Sequence, residues 1–447
     1  FGSRMRQSSL NLLLHLSAFG ISRWLLTLAD CPKDQDGQCE AQDGELVASS
    51  PYIVTKCNIS NNDVIWCEGD QDSNLLAVLL HRGLEWASGL EMDPQHIRQD
   101  YGMKGVKHFV EHLSLLRLTN HEVIKQCRHP DALAARRLAQ RKFEQALRIV
   151  RRPGYHSLKT FDPLSPRFRE DSMSYLRACW YLEEQSGGKR LEEYRKEIDV
   201  VKKSIIGHLQ SRGPDQRLRF SLLMLDMKLI SSKEHRALSK EAFPLSTMAN
   251  RRSLAWFVAE GHRPYDITHE VFALTASGRQ SFQQGLRRAG ASRFGSEKDI
   301  FRYTWDIICN LLSFYLGQKG DPRHKHWDII CELLECLAMM GGRPVQSDHM
   351  RWVRNMVIMN AVNADGSFGP YAYDEKIQEQ NRAIRNNPYY DVLIGGTLHT
   401  TLVCMKALLH SSDSIPTPPW MPEAPPVVLY GLSDQGLPSP DVKLQLQ

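Results

Sequence analysis

None of the ten cysteines in this sequence forms a C-x-x-C pair, so the usual thiolate frame of a structural zinc or a dithiol redox centre is missing. Neither G-x-x-x-x-G-K nor G-x-G-x-x-G occurs, which disfavours nucleotide binding through a glycine-rich phosphate cradle. There is no G-x-S-x-G elbow for an acyl-transfer serine. Basic residues are not gathered into a stripe with interleaved aromatics, and the formal charge is only +5 over 447 residues. The chain therefore reads as no nucleic-acid binder. Strand-like alternation is rare. The longest apolar stretch, residues 10–29, follows Arg4 and Arg6 like a signal peptide but is broken by His15 and Arg23-Trp24. A central arginine opposes insertion by about 2.5–3.5 kcal/mol, so the stretch reads as a core helix and no membrane span is expected. Phe1–Arg4, ahead of Met5, are set aside as a remnant of cloning.

What is present is ordinary globular material, 42% hydrophobic and 24% charged. Cys179, Cys309, Cys331, Cys336 and Cys404 lie in apolar runs and read as small buried hydrophobes. Cys31, Cys39, Cys57 and Cys67 sit in a polar loop-rich stretch; free thiols and a cytoplasmic setting are the simpler reading, two disulfides the alternative.

Helical periodicity dominates from Leu75 onward. Candidate helices cover 105–127, 131–151, 168–185, 190–210, 216–231, 233–242, 249–260, 266–288, 298–317, 326–340, 347–362 and 396–411. Short connections make neighbours antiparallel. Residues 31–72 form a loop insertion in which Tyr52-Ile53-Val54 and Val64-Ile65-Trp66 can pair across Asn61-Asn62. The expected organisation is an N-terminal helical region over 1–152, a helical-pair domain over 153–411 and a Pro-rich tail or surface strap over 412–447. Trp305-Asp306-Ile307-Ile308-Cys309 recurs as Trp327-Asp328-Ile329-Ile330-Cys331. Each copy reads as an aspartate at a helix N-terminus followed by an apolar stripe, the logic of stacked repeats.

In Asn363-Ala364-Asp365-Gly366-Ser367-Phe368-Gly369, Asp365 can accept from turn amides and Phe368 can anchor the loop. The segment resembles the Asp-Gly-aromatic turn joining helix pairs in α/α-toroid proteins such as terpene cyclases and protein prenyltransferases. That resemblance implies an all-α fold, a complete or partial α/α toroid. The Asp-x-Asp-Asp and Asp-Asp-x-x-Asp motifs of terpene cyclases and the Gly-x-His-Gly of lanthionine cyclases are absent. Over residues 250–411, Tyr265-Asp266-Ile267-Thr268-His269-Glu270-Val271-Phe272 and Gly396-Thr397-Leu398-His399-Thr400-Thr401-Leu402-Val403 resemble an uncharacterised bacterial all-helical family. Its members often occur beside natural-product biosynthesis genes.

Two histidine-bearing helix starts carry the functional expectation. Asp266 suits an N-cap, with Glu270 near capping-box range, and the helix dipole should disfavour protonated His269. His399 repeats the theme after Gly395-Gly396. In an α/α ring the inner-helix N-termini converge, so His269 and His399 can meet with Asp266, Glu270 or Asp391. They then serve as an acid/base pair, or His269, His399 and Asp266 serve as ligands to a divalent zinc or iron. The alternative is that all are caps and buried hydrogen-bonded side chains. His108-Phe109-Val110-Glu111-His112 matches the H-x-x-E-H of inverzincin peptidases, with Glu183 or Glu184 as a conceivable third ligand, but in a helical rather than α/β context.

Three functions compete. The first is an enzyme, or enzyme partner, of bacterial specialised metabolism acting on an apolar or peptidic small molecule. The second is a helical scaffold for a peptide or protein partner, and the third is the metallopeptidase.

Overall fold

In the computed structural model the described residues are 59–60, 63–64, 71–96, 105–152, 164, 166–187, 191–319, 325–369, 396–413, 424–425 and 427–429. Ser49–Gln447 form one compact unit. The expected first helix, Cys31, Cys39, Cys57, Cys67, Tyr52–Val54 and Asp391 lie outside the described residues.

The fold is all-helical, apart from a two-residue ladder pairing Ile59–Ser60 with Asp63–Val64 across Asn61-Asn62. The main helices are α1 Gln71–Ser88, α2 Gly105–Arg117, α3 Pro130–Arg151, α4 Pro166–Gln185, α5 Glu192–Gln210, α6 Pro214–Asp226, α7 Ser232–Ala242, α8 Pro264–Leu274, α9 Phe282–Ala289, α10 Glu297–Gly317, α11 Trp327–Met339, α12 Asp348–Asn360 and α13 Gly396–His410. Their starts follow local chemistry. Proline occupies the first turn of α3, α6 and α8, where no amide partner is lost. Ser231 with Glu234 and Ser281 with Gln284 form reciprocal capping boxes on α7 and α9.

Packing follows an alternate order. Helix α2 packs on α4, α4 on α6, α6 on α8, α8 on α11, α11 on α13, and α13 on α2. The intervening helices lie against them: α3 on α2 and α4, α5 on α4 and α6, α10 on α11, α12 on α11, α1 on α3 and α13. Helix α11 is buried on every side, and α13 nearly so, as expected of helices that are apolar all round.

Several expectations are corrected. The helix expected over 266–288 is two helices, because Ala276, Ser277 and Gly278 adopt positive φ between them. Helix α8 begins at Pro264, so Asp266 stands within its first turn and is no N-cap. The segment expected as helix 249–260 shortens to Leu254–Val258, capped by Ser253. The repeated pentapeptides are not equivalent. Asp328 lies in the first turn of α11, whereas Asp306 sits exposed in the middle of α10. Cys331 and Cys404 are not free thiols but a disulfide joining α11 to α13, which removes part of the support for a cytoplasmic setting.

The 363–369 turn behaves as its sequence suggests. Asp365 Oδ1 accepts from Ser367 N (2.9 Å) and Ser367 Oγ (2.7 Å), and Phe368 is buried. The Phe368 amide donates to Thr401 Oγ1 at 2.9 Å, which ties the turn to α13 one half-turn beyond His399. Gly366, at φ +92°, lies so close to Arg82 of α1 that a Cβ would meet its backbone at 2.7 Å. Part of the Pro-rich segment is a strap: Val427 and Leu429 are buried, and Ser347 Oγ at the start of α12 donates to Val427 O.

Candidate active site

Helices α2, α4, α6, α8 and α11 each bury at least one carboxylate. Two of those charges were not anticipated. Glu332 and Glu335 lie three residues apart on α11, in the otherwise apolar run Trp327–Met339, and both are buried. A buried carboxylate is costly unless paired, and each of these is paired.

His269 on α8 stands between two carboxylates. Its Nδ1 is 3.5 Å from Asp215 Oδ2 of α6, and its Nε2 is 3.7 Å from Glu332 Oε1. Thr268 Oγ1 donates to the other Glu332 oxygen at 2.5 Å. Burial alone would lower the imidazole's affinity for a proton. Glu332 and Asp215 outweigh burial and raise its pKa to about 9. Burial would conversely raise Glu332, but His269, His399 and Thr268 hold it down at about 2. The expectation that the helix dipole keeps His269 neutral is therefore reversed: two carboxylates facing both ring nitrogens favour the imidazolium.

His399, on the first turn of α13, faces the H-x-x-E-H helix. Its Nδ1 lies 3.3 Å from Glu111 Oε1. Despite its burial, Glu111 is drawn down to about 2 by His399, Lys107 and His108. His399 also acts electrostatically on Glu332, from a different helix than His269. The imidazoles remain open, with 31% of the His269 and 33% of the His399 side chain accessible, while Glu332 and Glu111 are 3% and 4% exposed. Buried carboxylates thus back accessible imidazoles. Further along α11, Glu335 pairs with Lys406 (2.9 Å) and His410 (3.0 Å) of α13.

The remaining expected site residues do not join this centre. Glu270 accepts from Thr247 N (2.8 Å), Thr247 Oγ1 (2.7 Å) and Met248 N (3.4 Å). It holds the 246–250 turn, and burial pushes its carboxyl up to about 8 against those donors. Asp266 is raised by burial and by Asp215; it has no direct contact with His269 among the described residues, and Asp215 takes the place expected for it.

The peptidase residues His108, Glu111 and His112 share α2, and the glutamates expected as a third ligand are engaged elsewhere. His112 is buried, its pKa lowered to about 4 by burial and His108, and it lies beside Leu84, Leu115 and Lys142. Glu183 is held by Arg195 (2.5 and 2.7 Å) and by the Leu191 amide, and Glu184 pairs with Arg117. Among the described residues no group of three His, Cys, Asp or Glu side chains is placed to hold a metal ion. Neither the His269–His399–Asp266 set nor the His108–Glu111–His112 set is thus a complete ligand sphere there.

Asp215 and Glu332 escaped sequence reading for different reasons. Asp215 carries no signal beyond that of an aspartate in the first turn of a helix, after Gly213-Pro214. Glu332 carried a readable signal, a charge within an apolar helix, but it was masked by the pentapeptide repeat. Among the described residues no helix is long and apolar enough to cross a membrane. No family model, curated protein or solved structure matches the chain.

Proposed function

We propose that this chain is an enzyme that moves protons on a small molecule held in the hollow of an α/α ring, with His269 as general acid and His399 as general base. The ring is supported by the packing order, in which six alternate helices each touch the next and the last touches the first. The acid/base assignment is carried by one observation: two accessible imidazoles on different helices each stand beside a buried carboxylate, His269 beside Glu332 and His399 beside Glu111. His269, with carboxylates at both nitrogens, is a held cation suited to donating a proton. His399 holds Nδ1 3.3 Å from Glu111 Oε1, and no contact of its Nε2 stands among the described residues. A carboxylate beside one nitrogen favours the tautomer that leaves the other as base. Glu332 and Asp215 position the acid, and Glu111 positions the base.

Acid and base on different walls suit isomerisation, elimination or cyclisation, in which one proton leaves carbon or nitrogen as another arrives. The setting in bacterial specialised metabolism rests on the resemblance of residues 250–411. The scaffold reading is favoured less, because it asks each polar residue to be satisfied locally, and of the expected site residues only Glu270 behaves so. Incubated in heavy water with pooled small metabolites, the protein should introduce one deuterium into its substrate. His399→Ala should abolish the exchange and leave the fold intact. Exchange that persists in both His269→Ala and His399→Ala would remove the two histidines from the reaction.

A further inference from the structure

Beside the proposed acid, one turn along α6 from Asp215, lies a cluster of positive charge that the acid/base chemistry does not use. Arg177 of α4 and Arg219 of α6 line a shallow cleft with Trp180, Tyr181, Phe220 and Phe272, with a cavity volume of about 50 Å³. Neither guanidinium has an ion-pair or hydrogen-bond partner among the described residues, and Arg177 Nε is buried with no acceptor. Other arginines nearby are satisfied: Arg117 pairs with Glu184, and Arg279 at the rim reaches Asp226 at 2.7 Å. The carboxylates closest to Arg219, Asp215 and Glu332, are engaged by His269. Both arginines are half-buried, and a half-buried charge without a carboxylate partner is costly.

The surroundings respond to this excess. Burial and the Arg177 charge lower the pKa of Arg219. Burial would raise the Tyr181 phenol, yet Arg177, Arg117 and Arg219 draw it down to about 6. Tyr181 is thus the acidic side chain that answers to this positive charge. Phe272 links the cleft to the acid, since its ring lies 6.2 Å from that of His269.

We infer that Arg177 and Arg219 form an oxyanion subsite, and that the ligand carries a carboxylate or phosphate on an aromatic or otherwise apolar body lying against Trp180, Phe220 and Phe272. Planar guanidiniums suit either oxyanion through paired N–H donors. For substrate class this rests on the acid/base reading, but anion binding is measured without turnover.

The probes are benzoate, phenyl phosphate and neutral benzamide, titrated calorimetrically and by tyrosinate absorbance in the full-length protein. An arriving oxyanion should displace the phenolate charge, so tyrosinate absorbance near neutral pH should fall as an acid probe binds. Benzamide should do nothing. Binding of benzoate alone assigns a carboxylic acid and of phenyl phosphate alone a phosphate ester; both outcomes support the subsite. Arg177→Gln and Arg219→Gln should each weaken binding roughly ten- to hundredfold, the value of a charge-assisted contact. Arg302→Gln, exposed on α10 and not among the residues that line the cleft, should leave binding unchanged and controls for folding. Failure of both acids to bind, or equal affinity in Arg177→Gln and Arg219→Gln, would overturn the subsite. His399→Gln should keep anion binding, so failure of the acid/base reading and failure of the subsite are told apart.

Discussion

Replacing Glu332 with Gln tests how the centre is held together. The substitution keeps shape and removes one charge from a pair that is almost wholly shielded on the carboxylate side. A carboxyl held at about 2 instead of 4.5 has its ionised form favoured by about 3 kcal/mol, at 1.36 kcal/mol for each tenfold change in proton affinity. Breaking one partner of a buried pair costs roughly 3–5 kcal/mol, the same order. The sign depends on pH. Glu332 is depressed, so its contribution is present above about 4.5 and is lost as pH falls through about 2. His269 is raised, so its contribution is full below 6.5 and is lost as pH rises through about 9. Both are complete between about 4.5 and 6.5. Glu332→Gln should therefore cost about 3 kcal/mol in chemical denaturation at pH 6, and much less at pH 10, where His269 is neutral. In the same variant His269, followed by imidazole NMR, should titrate well below 9. A stability loss of equal size at both pH values, or a His269 titration unmoved by the substitution, would refute the reasoning.

Other substitutions separate structural from functional roles. Glu270→Ala orphans the Thr247 and Met248 amides and should destabilise by about 1–3 kcal/mol for each lost bond, while leaving the His269 titration in place; a shift of that titration would return Glu270 to the site. Replacing Cys331 and Cys404 together opens a 73-residue loop and should cost about 4 kcal/mol on the loop-entropy relation. Because both sulfurs are buried, native protein should resist reductant that acts readily after unfolding; fast reduction of the folded state would contradict this. Removing residues 424–447 exposes the seat of Val427 and Leu429 and should lower stability by about 1.5–3 kcal/mol per side chain. Unchanged melting would deny the strap its role.

The parts of the fold set by local chemistry were legible in the sequence. Proline and serine starts, apolar periodicity and the Asp365–Phe368 turn mark helices and a connection without tertiary knowledge. The two histidines were found because each stands among small and polar residues near a helix start. Their partners were harder to see, since Asp215, Glu111 and Glu332 come from three other helices and pairing across helices leaves no periodic trace. The break at Ala276–Gly278 was missed because two of its left-handed residues are not glycine, and apolar periodicity runs through it. Arg177 and Arg219 sit in helices rich in arginine, and only packing shows which ones lack a carboxylate.

The central claim is that His269 and His399, 130 positions apart in the chain, act on one carboxylate. Carboxyl NMR of Glu332 in wild type, His269→Gln and His399→Gln measures that directly. The account predicts a titration near 2 in the wild type and a rise in each variant, larger for His269→Gln. A Glu332 titration that ignores His399→Gln would place the two histidines in separate surroundings and contradict the account.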